Sequence, residues 1–168
     1  CKWSQTPEEV DFVLNVLEKL AKRYGQREGL WGITPINEPI TDPMWTVMNV
    51  PGRYPPEDQE LAAGSAPNTM EFLRDFYTRA YDRIHPNIRD GAFVVFHDAF
   101  RLKDWKEFLT QEKFQGNVVL DTHQYLMMAE AFGCEQTLEG YLRHIKEVYE
   151  KDVAEVQEYV PVVVGEWC

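Results

Sequence analysis

Asn117-Val118-Val119-Leu120-Asp121-Thr122-His123-Gln124-Tyr125 is a short apolar run that breaks off into a cluster of polar side chains. The length and β-branched content of Asn117 to Leu120 suit a strand buried on both faces, and such strands belong to parallel sheets. An acid, a hydroxyl, an imidazole, an amide and a phenol follow it, all able to bind a ligand or move a proton. The chain repeats this pattern on both sides. Leu30 to Ile36 ends at Asn37-Glu38-Pro39, Ala92 to Phe96 at His97-Asp98, and Pro161 to Val164 at Gly165-Glu166-Trp167.

Helical patterns lie between these runs. Thr6 is placed to cap a helix with Pro7 at its first position, Glu8 and Glu9 in its first turn and Gly25 just past its end. Within it Val10, Val13, Leu14, Leu17, Leu20, Ala21 and Tyr24 recur at helical spacing and predict one apolar face. A second helix is expected from about Met70 to His85, with Phe72, Leu73, Phe76, Tyr77, Ala80 and Ile84 on one side and Pro86 as its stop. A shorter helix around Leu102 to Leu109 and a long amphipathic one from about Thr137 to Gln157 complete the alternation.

Four helix-strand pairs without a hairpin signal imply an α/β fold with parallel strands joined by right-handed crossovers. Each strand run ends on its C-terminal side with potential chemistry, at Glu38, His97, His123 and Glu166, and (β/α)8 barrels of the TIM type gather active-site residues at that edge. An open doubly wound sheet would more often carry a Gly-rich phosphate turn, and neither GxGxxG nor a P-loop is present. A closed barrel needs eight strands and about 250 residues. This chain of 168 residues supplies four strands, so the expectation is one partial domain over residues 1–168, about half a barrel. Its two open sheet edges predict self-association or pairing with a missing half-barrel. A long Pro- and Gly-rich insertion at about 41–68, with Met44, Trp45, Met48 and Tyr54, is expected to overhang the active-site face.

A net charge of -11 argues against partners such as nucleic acid or an anionic membrane, and a neutral substrate is easier to reconcile. No stretch approaches the roughly 18 apolar residues of a membrane span. Aromatic residues make up 13% of the chain, and Trp31, Trp45, Trp105 and Trp167 offer flat faces either to the core or to a cleft. Cys1, Cys134 and Cys168 lack metal-binding spacing, so no structural zinc site is expected.

Breaking a glycosidic bond takes one protonated carboxyl to assist the leaving oxygen and one carboxylate acting from the other side of the sugar. Glu38 and Glu166 close the first and fourth strand runs, and in a closed eight-strand barrel they would face each other across the mouth. A separation of about 5 Å would predict a covalent intermediate and retention of configuration.

Asn37-Glu38-Pro39, His123-Gln124-Tyr125 and Gly165-Glu166-Trp167 resemble, in order and position, the strand-end blocks of glycoside hydrolase family 5. His97-Asp98-Ala99-Phe100 and Asp121-Thr122-His123-Gln124-Tyr125 look like its exo-β-1,3-glucanase branch, which would place the chain over roughly the fourth to seventh barrel strands. The resemblance implies that Glu38 is the acid/base, Glu166 the nucleophile, and Asn37 a partner of the sugar 2-hydroxyl. His123 and Tyr125 would complete the inner shell, Trp167 would stack on a sugar ring, and His97 would bind substrate or fix the loop after its strand. The implied activity is retaining release of terminal glucose from β-1,3-glucan or related β-glucosides by double displacement, with no metal or organic cofactor and an extracellular location. Two of these roles also follow from simple electrostatics: a phenol beside the nucleophile steadies its charge, and an imidazole beside the acid/base tunes its proton affinity.

Two departures stand out. Leu126, Met127 and Met128 occupy the place where fungal members carry an aromatic clamp for the outer sugar. The family's residues on the first three strands and the last, including an Arg and a His that support the nucleophile, have no counterpart here, so the isolated piece need not turn over substrate. Two other readings are compatible with the residues: a non-catalytic carbohydrate-binding or half-barrel scaffold fragment, and an endo-glucanase or mannanase of the same clan.

Overall fold

The structure is a computed structural model and describes residues 2–42, 44–47 and 59–168. Met48 and Tyr54 of the expected insertion, and Cys1, lie outside the described residues. The described residues hold four strands, β1 (Gly32–Ile33), β2 (Phe93–His97), β3 (Val118–Gln124) and β4 (Val162–Trp167). They are parallel and stand in the order β1-β2-β3-β4. A doubly wound sheet reverses its strand order at a switch point, whereas a barrel adds each strand beside the last. Sequential order therefore bears out the expected (β/α) barrel units, at half the strand number of a (β/α)8 barrel. The chain packs as two compact units, Cys1–Val94 and Val95–Cys168.

In the first unit the Pro7–Tyr24 helix lies against the Met70–Ile84 helix. Val10, Leu14, Leu17 and Ala21 are buried on one side, and Leu73, Phe76, Tyr77, Ala80, Tyr81 and Ile84 on the other, each large aliphatic residue contributing about 1.5–3 kcal/mol. Leu20 and Tyr24, expected on the same face, are 43% and 42% exposed, because the buried stripe is narrower than the apolar pattern. Arg79 pairs with Asp11 across the outer rim, and Arg83 hydrogen-bonds Asn15. Trp3 packs edge-on against Phe72 and Phe76, with ring centroids 5.2 Å apart in each case.

Local signals explain the helix ends. Thr69 caps the second helix, its side chain accepting from the Phe72 N–H at 3.1 Å, and Pro86 turns the chain into the short 3-10 segment His85–Asn87. Thr6 occupies the N-cap of the first helix, but its hydroxyl donates backwards to the Lys2 carbonyl. Gly25 stays right-handed (φ -58), so its glycine is explained by close approach instead: a Cβ there would lie 2.0 Å from the Asn87 carbonyl oxygen. That crossing is fixed by the Arg89 N–H, which donates to the Gly25 carbonyl at 2.8 Å.

Strand β1 is much shorter than the apolar run Leu30 to Ile36. It pairs with β2 only through Gly32 and Ile33, with the Phe93 N–H also donating to the Trp31 carbonyl, and Pro35 has no N–H to extend the ladder.

In the second unit Phe96, Trp105, Phe108, Phe114, Val118 and Leu120 form the core. Phe114 meets Phe96 edge-on at 5.8 Å and Phe108 at 4.8 Å. The segment expected as one long helix is Leu138–His144, a π-helical stretch Ile145–Tyr149, and Glu150–Gln157, started by Thr137 accepting from the Gly140 N–H at 3.0 Å. Its apolar residues Leu138 and Leu142 are 76% and 50% exposed, so packing does not enforce regular α-helical geometry along this face.

Candidate functional site

Strands β3 and β4 carry most of the chemistry of the second unit. Both continue past the apolar runs read from sequence, so Asp121 to Gln124 and Gly165 to Trp167 lie within strands rather than in the loops that follow. Their pairing slips once. Thr122 stands opposite Val164 and the next residue, His123, opposite Glu166, which leaves Gly165 as the extra residue of a β-bulge. Because strand side chains alternate between faces, this one-residue slip decides which face Glu166 shares.

Glu166 is met there by two side chains. The Tyr125 hydroxyl donates to Glu166 Oε2, and His123 Nδ1 lies 3.6 Å from the same oxygen. The Glu166 side chain is 44% exposed, so the carboxylate is held from within while remaining open to solvent. Tyr125 is itself anchored, its carbonyl accepting from the Tyr149 hydroxyl at 2.9 Å. On the other side of the imidazole, His123 Nε2 lies 3.6 Å from Asp121 Oδ2, while Asp121 Oδ1 accepts from the Gly165 N–H at 3.0 Å. Burial raises Asp121 above the ordinary carboxyl range, opposed by His123 and the Gly165 N–H.

Below this lies a buried layer at the end of β2. Asp98 Oδ2 accepts from the Thr122 hydroxyl at 2.7 Å and Oδ1 from the Phe100 N–H at 2.8 Å, while Thr122 accepts from Gln124 Nε2 at 2.9 Å. Burial pushes Asp98 up to about 7 against these hydrogen bonds. His97 is fully buried, and burial, with the nearby His123, pushes it down to about 3. Its Nδ1 accepts from the Ala99 N–H at 2.9 Å, so a neutral ring carries its proton on Nε2. Ala99 and Phe100 both adopt left-handed backbone (φ 56 and 59), which costs about 1–3 kcal/mol per residue and needs external support. His97 and Asp98 supply that support by accepting from those two N–H groups. His97 thus lies inside the protein as a loop anchor, edge-on to His123 at 4.3 Å.

The first unit holds the remaining strand-end residues. Asn37 is exposed, Glu38 half-buried and Pro39 buried. Glu38 has φ 45, left-handed and directly before a proline, a conformation disfavoured for a side chain of this size. Just beyond it, Thr41 bridges to Asn68, whose N–H and side-chain amide both donate to the Ile40 carbonyl, at 2.8 and 3.1 Å. Residues far apart in sequence therefore clamp the segment leaving Glu38. Of the tryptophans, Trp105 is wholly in the core with its Nε1 donating to the Asp98 carbonyl at 2.7 Å, whereas Trp31 and Trp167 are 52% and 72% exposed.

No family model matches the chain. Individual proteins do. The chain is similar to fungal glucan 1,3-beta-glucosidases. It is 25% identical to that of Lachancea kluyveri over 167 residues, which is 98% of this chain and 32% of the relative. It is 26% identical to glucan 1,3-beta-glucosidase I/II of Saccharomyces cerevisiae over 158 residues, 92% of this chain and 29% of the relative. The Yarrowia lipolytica relative is 28% identical over 164 residues, 95% of this chain and 32% of its own length. The chain spans about a third of the length of these curated relatives. The match supports a relationship to glucosidases.

Asp121, Thr122 and Gly165 have no role of their own in the sequence pattern. Gly165 carried a usable signal, since a lone glycine inside a strand pattern marks a bulge or a close approach. Asp121 and Thr122 carried none, because their partners depend on strand register.

Proposed function

We propose that the chain carries the acid/base, Glu38, and the nucleophile, Glu166, of a retaining β-glycosidase of glycoside hydrolase family 5. The substrate is β-1,3-glucan or a related β-glucoside, from which terminal glucose is released. The convergence of Tyr125 and His123 on Glu166 Oε2 carries this reading, because a phenol donor on one carboxylate oxygen steadies negative charge and leaves Oε1 to attack. The strained backbone of Glu38 and the similarity to fungal glucosidases support it further.

In the first step Glu166 Oε1 attacks the anomeric carbon while Glu38 gives its proton to the departing glycosidic oxygen, forming a glycosyl ester on Glu166. In the second, Glu38 takes a proton from water as that water attacks the same carbon, freeing Glu166 and releasing glucose with its β configuration. Asn37 bonds the sugar 2-hydroxyl and Trp167 offers an exposed face for stacking. Since the described residues supply four strands, the remaining barrel is the natural partner of the open sheet edges.

Hydrolysis of an aryl β-glucoside tests the assignment. Turnover is expected to vanish in Glu166→Ala, and activity that survives this substitution would remove Glu166 as nucleophile. A carbohydrate-binding fragment without turnover is the second reading, favoured by the strand count, and would show glucan binding that is indifferent to Glu166→Ala.

A further inference from the structure

We propose that Asp121 is a positioning residue that sets the orientation of Glu166 by clasping the Gly165 bulge. Only its consequence for hydrolysis rests on Glu166 being the nucleophile; the clasp itself does not. Were β3 and β4 paired without the slip, Gly165 would stand opposite His123 and Glu166 opposite Gln124, and the Glu166 side chain would turn to the other face of the sheet. Something must therefore hold the extra residue, since a bulge leaves its own backbone groups out of the ladder.

Asp121 does so with one oxygen and reaches the same site with the other. Oδ1 accepts from the Gly165 N–H at 3.0 Å, and Oδ2 faces His123 Nε2 at 3.6 Å. The imidazole is thus flanked by two carboxylates, Asp121 on Nε2 and Glu166 on Nδ1. The fit is close on the glycine side, where a Cβ would lie 2.3 Å from Asp121 Oδ1. The Gly165 position therefore admits no side chain while Asp121 occupies the clasp. An aspartate serving only the fold would not need to meet the bulge N–H and the imidazole beside Glu166 at once.

The test is nuclear magnetic resonance on the full chain and on Asp121→Ala and Asp121→Asn. Two readouts are followed, hydrogen exchange of the Gly165 amide and the Cζ resonance of Tyr125, which reports its hydrogen bond to Glu166. In Asp121→Ala the Gly165 amide is expected to exchange at least about tenfold faster, with the Tyr125 resonance displaced and the other β3 and β4 amides unchanged. Asp121→Asn keeps an acceptor oxygen and is expected to retain Gly165 protection, which also decides the matter if the alanine variant fails to fold. Unchanged exchange and resonance in Asp121→Ala, uniform loss of protection across both strands, or loss of Gly165 protection in Asp121→Asn would each overturn the proposal. Neither readout involves turnover, so a chain with the clasp intact but hydrolysis indifferent to Glu166 would sink the nucleophile assignment and leave the role of Asp121 standing.

Discussion

Replacing Asp98 with Asn is expected to remove a pH dependence that the buried carboxyl imposes on stability. In the parent, burial pushes Asp98 from an ordinary 3.8 up to about 7. Between about pH 4 and 7 the folded chain therefore keeps a proton that the unfolded chain has released, and stability falls as pH rises through that window, by about 4 kcal/mol in all. His97 acts in the opposite sense. Burial, with His123 beside it, pushes it from 6.5 down to about 3, so the unfolded chain takes up a proton that the folded chain refuses, and stability falls as pH drops below 6.5. Over about pH 4 to 6.5 the two slopes oppose each other and the parent responds weakly. An amide in place of the Asp98 carboxyl would keep an oxygen for the Phe100 N–H, so the loop through Ala99 and Phe100 keeps both anchors, while the amide nitrogen, turned toward Thr122, no longer accepts that hydroxyl's proton. The variant should gain about 4 kcal/mol relative to the parent between pH 4 and 8, and should show the acid sensitivity of His97 directly, at about 1.4 kcal/mol per pH unit below 6.5. Urea unfolding of both proteins at intervals across that range measures this. Parallel stability curves would refute the reasoning, because they would mean that Asp98 titrates alike in the folded and unfolded chain.

Two further substitutions probe the first unit. Gly25→Ala places a Cβ 2.0 Å from a backbone oxygen that cannot swing away, and is expected to cost about 1–3 kcal/mol in urea unfolding. An unchanged midpoint would show that the crossing at Asn87 yields easily. Thr69→Ala removes the cap on the Met70–Ile84 helix and should cost about 1 kcal/mol, with faster exchange of the Phe72 amide than in the parent.

The architecture was legible because periodicity is a local property. The apolar stripe of the Pro7–Tyr24 helix, the stop at Pro86 and the four strand runs all stand in the sequence, and their alternation led to parallel β/α units. What depended on pairing was not legible. Pro35 is a local reason for β1 to stop, but nothing local shows that only Gly32 and Ile33 pair, or that β4 runs on through Gly165 to Trp167. The same division holds for the site. Glu166, His123 and Tyr125 were singled out by their position at strand ends, and the structure brings these three together. The Gln124–Thr122–Asp98 chain and the grip of Asp121 on Gly165 were hidden, since each joins residues through the register of neighbouring strands. His97 lay between the two cases: its strand end was visible, but not that burial would turn its ring into an anchor for the Ala99 N–H.

Trapping with a 2-deoxy-2-fluoro-β-glucosyl fluoride, followed by peptide mapping, tests the proposed nucleophile most directly. Such a sugar forms the glycosyl ester but slows its hydrolysis, so the nucleophile is marked covalently. The label is predicted on Glu166 and on no other residue, and is predicted to be absent from Glu166→Ala. A label on any other carboxylate, or one that persists in Glu166→Ala, would contradict the account.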